Sequence, residues 1–78
     1  MEIRQEQLNR FGLLIERKRK QKGWSMSRLS KETGGVLSSS YICRIERSER
    51  ESKNIAIHKV IKLAEALDIA IQDLVDSI

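Results

Sequence analysis

Apolar positions recur along this chain at helical spacing, and short polar or glycine breaks separate them. Leu8, Phe11, Leu14 and Ile15 form one such stripe and predict a helix from Glu6 to Gln21, with residues 1–5 as a loose lead-in. Gly23 then stands in the left-handed position that commonly closes a helix. Ser25 is a good N-cap for a second helix reaching about Thr33, and Trp24 before the cap and Leu29 in the fourth helical position can clasp as a hydrophobic staple. Gly34 and Gly35 supply the unusual backbone angles of a turn. The device then repeats, with Leu37 before the cap Ser38 and Ile42 as staple partner in a third helix over 38–47.

In that third helix Ile42 and Ile45 face the core, which leaves positions 39, 40, 43, 44 and 47 together on the outer side. They are Ser39, Ser40, Cys43, Arg44 and Arg47, a polar and basic row shaped to enter a DNA groove. A polar loop, SERESK (48–53), follows. A fourth helix is expected to begin between Asn54 and Ala56 and run to Leu67, with Ile57, Val60, Ile61, Ala64 and Leu67 as its apolar face. After a break at Asp68-Ile69-Ala70, a fifth helix is predicted over Ile71 to Asp76.

Composition fits this reading. Seventy-eight residues suit one domain with a modest core, and the absence of proline, with only Phe11, Trp24 and Tyr41 aromatic, favours helices over strands. The formal charge of +4 suits an anionic partner, although charge alone does not choose one. A single cysteine, Cys43, excludes a disulfide within the chain and fits a reducing cytoplasm. The opening MEIRQEQLNR has no apolar centre and does not read as a signal peptide, and no apolar run is long enough to span a bilayer.

Catalysis finds little footing. His58 is the only histidine, and there is no Cys-x-x-Cys pair, no glycine-rich phosphate loop and no carboxylate dyad. No catalytic residue, metal or cofactor is therefore expected, and His58 reads as a surface or packing residue.

The segments FGLLIERKRKQKGWS, RLSKETG, SYICRIERS and HKVIKLAEALDIAIQDLV together resemble the phage repressor and Cro-like helix-turn-helix regulators, the xenobiotic-response-element type. The resemblance covers roughly residues 8–76, and Ser-Tyr-Ile-x-Arg-Ile-Glu-Arg is its sharpest part. It implies an all-α, compact five-helix lambda-repressor-like domain spanning 1–78 (core 6–76). In such a domain helix 3 lies in the major groove and helix 2 crosses the backbone above it. It also implies that Arg19, late in helix 1, pairs with Glu46, late in helix 3. An arginine fork is the best partner for a partly buried carboxylate, so this pair is read as structural. The chain departs from the family at three places. Met26 replaces the glutamine that opens helix 2 in many relatives, the turn GGVL is longer by about two residues, and Ser48 replaces a frequent glycine in an extended loop.

These placements give roles to the outward residues. Arg44 is expected to read guanine O6 and N7 through two hydrogen bonds, with Ser39 and Ser40 near the groove floor and Cys43 against a thymine methyl. Ser25, Ser38, Tyr41, Arg47, Arg50 and Lys53 are the expected phosphate contacts. For each there is a plainer alternative: a solvated charge, a helix-start serine or a small surface thiol. Arg17, Lys18, Lys20 and Lys22 are better read as solvated surface charges that add a general positive field.

The expected function is a sequence-specific double-stranded DNA-binding transcriptional regulator, a repressor acting as a homodimer. One module of this size buries little surface for tight specific binding. The expected dimer surface is Ile69, Ile71, Leu74, Val75 and Ile78, whose alternative is packing of helix 5 on helix 1. Met26 and the stretched turn motivate a second reading, a protein-interaction module such as an antitoxin or a partner of a phage or polymerase protein. A regulatory protein partner is compatible with either reading.

Overall fold

The computed structural model describes residues 4–49, 55–70 and 72–73. Among them the chain is all-helical, with four helices: α1 (Gln5–Gln21), α2 (Met26–Glu32), α3 (Ser39–Glu46) and α4 (Ile57–Leu67). α1 starts one residue before the expected boundary because Arg4 already serves as the cap, its backbone N–H donating to Gln7 Oε1 at 2.9 Å. Lys22 and Gly23 close the helix, Gly23 in the left-handed region at φ 69°. Gln72 and Asp73 have helical backbone, but the rest of the expected fifth helix, Ile71 and 74–76, lies outside the described residues.

The core is one cluster drawn from every helix. Leu8, Phe11 and Ile15 of α1, Leu29 of α2, Ile42 and Ile45 of α3, and Val60, Leu63, Ala64 and Leu67 of α4 are all buried. Leu37 and Ile55, which precede α3 and α4, join them from non-helical backbone. Each large side chain of this set contributes about 1.5–3 kcal/mol by leaving water. Trp24, Met26, Leu14 and Tyr41 pack half-buried around the rim.

α4 differs from expectation in two ways. It begins at Ile57, later than anticipated, because Ala56 is extended (φ −66°, ψ 140°) and Ile55 is inserted into the core ahead of the helix. Its buried face also runs through Val60, Leu63, Ala64 and Leu67, which leaves Ile57 53% and Ile61 38% exposed. Those two isoleucines lie about 60–100° around the helix from Val60, on the edge of the apolar arc and not at its centre.

The contact that most constrains the fold is between α1 and α3. Gly12 is buried where α1 crosses α3, and a Cβ there would collide with the Ile45 carbonyl oxygen, sit 3.2 Å from the Ile45 carbonyl carbon and lie 3.3 Å from Ser48 Oγ. The two backbones meet closely because α1 has no side chain at that point.

Candidate nucleic-acid interface

α3 is set at both ends by bonds that its sequence dictates. At its start the Ser38 hydroxyl accepts the Tyr41 N–H at 3.1 Å, satisfying one of the free donors of the first turn. At its end Glu46 is held by Arg19 through two parallel bonds, Nε to Oε2 at 2.7 Å and Nη2 to Oε1 at 2.8 Å. The same guanidinium donates to the Trp24 carbonyl at 2.8 Å, so one side chain ties α1, the start of α2 and the end of α3 together. The Arg19 and Glu46 side chains are only 10% and 1% exposed. The hydrogen bonds that Arg19 donates to Glu46 hold its pKa above the ordinary value against the opposing cost of burial.

The long turn before α3 is ordered by hydroxyls. Gly34 (φ 71°) and Gly35 (φ 78°) take left-handed backbone, and Gly35 N–H returns to the Ser30 carbonyl at 3.1 Å. Thr33 Oγ1 donates to the Ser30 carbonyl at 2.6 Å and accepts the Leu37 N–H at 3.4 Å, while Ser30 Oγ donates to the Leu37 carbonyl at 2.7 Å. The N–H groups of Gly34, Gly35, Val36 and Leu37 are thus all bonded within a stitched connection. After α3, Ser48 is itself left-handed (φ 57°), the conformation for which glycine is the usual residue, and its carbonyl accepts from Gln5 Nε2 at 2.8 Å.

Of the five residues expected on the outer side, Ser39, Ser40, Cys43 and Arg44 lie on α3 and Arg47 is its C-cap. Ser40, Arg44 and Arg47 are exposed, and Ser39 and Cys43 are half-buried. Tyr41 is half-buried on the flank, where burial raises its phenol pKa, and Lys59 Nζ of α4 sits 4.2 Å above its ring. Ser25 caps α2, its hydroxyl accepting the Arg28 N–H at 3.1 Å, and is exposed. Next to it Met26 is turned partly into the core, which gives this apolar side chain a packing role. Lys22 and Arg28 stand 5.0 and 5.3 Å from the Trp24 ring, each also paired with a carboxylate, Asp68 and Glu32 respectively, at 2.8 Å. Arg50, Lys53, Ile71, Leu74, Val75 and Ile78 lie outside the described residues, and Ile69 is half-buried against the core.

Three features of the site escaped the sequence reading. Gly12 gave a signal that could have been used, since glycine inside a helix costs about 1 kcal/mol and wants a packing reason. The Lys59–Tyr41 contact joins residues on different helices and leaves no local trace. The bonds among Ser30, Thr33 and Leu37 depend on the turn's tertiary shape. Among the described residues no three His, Cys, Asp or Glu side chains are grouped to hold a metal ion, and no helix is long and apolar enough to cross a membrane.

Comparison with known proteins gives two findings. A helix-turn-helix family model matches residues 15–74. The structure is similar to the N-terminal DNA-binding domain of SinR from Bacillus subtilis, with a TM-score of 0.72 and 33% sequence identity over 85% of this chain and 90% of that one. Among curated proteins no match is found.

Proposed function

Since this chain belongs to the helix-turn-helix family of xenobiotic-response-element and Cro-like regulators, we propose that it is a transcriptional regulator that binds double-stranded DNA in a sequence-specific way. The observation that carries this reading is the outward side of α3, where Ser40, Arg44 and Arg47 are exposed and Ser39 and Cys43 half-buried, while Arg19 and Glu46 fix the helix from behind. A short helix held in this manner can lie in the major groove, where Arg44 donates two hydrogen bonds to a guanine and Ser39, Ser40 and Cys43 meet neighbouring base edges. Ser25, Ser38, Tyr41 and Arg47, with Arg50 and Lys53 beyond α3, hold the flanking phosphates. The protein acts as a repressor inside the cell, as a homodimer joined through the C-terminal apolar residues Ile69, Ile71, Leu74, Val75 and Ile78. The whole chain works as one five-helix domain without catalytic chemistry, and any regulating signal comes through a partner protein, proteolysis or dimerisation.

Selection of bound sites from random duplex DNA tests this. The expected result is a partly palindromic consensus, with Arg44→Ala lowering specific affinity and relaxing preference at one base pair by about 1–3 kcal/mol. A pool that stays random after selection would remove the function. Equal losses by Arg44→Ala on consensus and random duplexes would remove the base-reading role alone.

A further inference from the structure

The lengthened turn between α2 and α3 has no part in the reading above, and its exposed residue is apolar. Four large apolar side chains are exposed among the described residues: Leu13 on α1, Ile57 and Ile61 on α4, and Val36 in this turn. Val36 stands in the chain two residues before the cap of α3, so its backbone is within about 7 Å of Ser38. Its neighbour Leu37 is 1% exposed while Val36 is 37% exposed, so the two side chains take opposite directions, Leu37 into the core and Val36 out.

Nor is Val36 on a loose loop. Its N–H reaches the Thr33 carbonyl at 3.4 Å, and the residues on either side are bonded back to Ser30 and Thr33. A branched apolar group is thus presented in a fixed place at the end of α3 where the outward residues are small and polar, Ser39 and Ser40. The hydroxyls there can exchange hydrogen bonds with any base and distinguish bases weakly. What that end otherwise lacks is a surface for the one apolar feature of the major groove, the thymine 5-methyl group.

We propose that Val36 is a specificity-determining residue that packs on the 5-methyl group of a thymine at the edge of the site read by α3. The proposal rests on the DNA-binding reading above and adds to it a contact from the turn. The two extra turn residues extend the reading surface past the N-terminus of the helix. They favour thymine over cytosine at that position, since cytosine carries no methyl.

The test uses the full chain and the consensus duplex selected from random DNA, with each thymine replaced in turn by deoxyuridine, which removes only the methyl. Wild type is expected to lose about fourfold in affinity at one thymine near the N-terminal end of α3, the worth of one buried methyl-sized group. Val36→Ser should bind the thymine and deoxyuridine duplexes equally at that position, while matching wild type in its response at every other thymine. Val36→Ile should keep the wild-type preference, and thermal melting of both variants checks that the fold is intact. If every replacement affects wild type and Val36→Ser alike, the contact does not exist. Failure of wild type to select any duplex would instead overturn the DNA-binding reading, and this inference with it.

Discussion

At Gly12 and Ser48, single residues carry strain or relieve it, and both adjoin the same crossing of α1 and α3. Gly12→Ala would drive a methyl group into the Ile45 carbonyl and force α1 and α3 apart. A destabilisation of at least about 1–3 kcal/mol is expected in urea unfolding, in the range of overpacked core sites, because the obstacle is backbone and cannot rotate away. Ser48 is the reverse case. A non-glycine residue at φ 57° costs roughly 1–2 kcal/mol, so Ser48→Gly should raise stability by about 0.5–1 kcal/mol after the added freedom of the unfolded chain is discounted. The sequence pointed to that position through its family departure, since a frequent glycine is serine here. Gly12 went unread because an apolar stripe shows where side chains are needed and is silent about where one must be missing.

At the scale of elements, the helix caps and turns were legible and the tertiary offsets were not. Ser25 and Ser38 cap their helices as their positions before apolar periodic runs implied, since the bond from serine to the N–H three residues on is local. The start of α4 was misplaced for the opposite reason: Ile55 is apolar and buried, and periodicity does not distinguish a core residue in an extended lead-in from one in a first helical turn. The orientation of α3 depends on Arg19 and Glu46. Glu46→Ala strands a nearly buried guanidinium and should cost about 3–5 kcal/mol in thermal or denaturant unfolding. Replacing both partners with methionine should recover only part of that loss, because it also removes the Arg19 donor from the Trp24 carbonyl, a bond that Glu46→Ala leaves in place.

For the whole molecule, size and charge set the terms of binding. The described residues have principal extents of 27 × 24 × 21 Å, shorter than the roughly 34 Å between successive major-groove faces on one side of a duplex. Under the proposed reading, a palindromic site would therefore take two copies. The +4 charge is spread unevenly in effect, because Lys20, Lys22 and Arg28 are matched by Glu16, Asp68 and Glu32. Exposed Arg47, at the C-terminal cap of α3, is better placed to act on phosphate. Arg47→Ala should weaken binding to all sequences and flatten the slope of log affinity against log salt by about 0.9, measured by titration across salt concentrations. An unaltered slope would take Arg47 off the phosphate-contacting surface.

The groups that fasten α3 in place are Gly12, Arg19, Ser38 and Glu46, and none belongs to the outward set at 39, 40, 43, 44 and 47. Address and mount are thus written in separate letters. A library randomised at 39, 40, 43 and 44, with Arg47 kept for phosphate, should retain the wild-type fold in most of its members, so that new target sequences could be sought by exchanging the lettering alone.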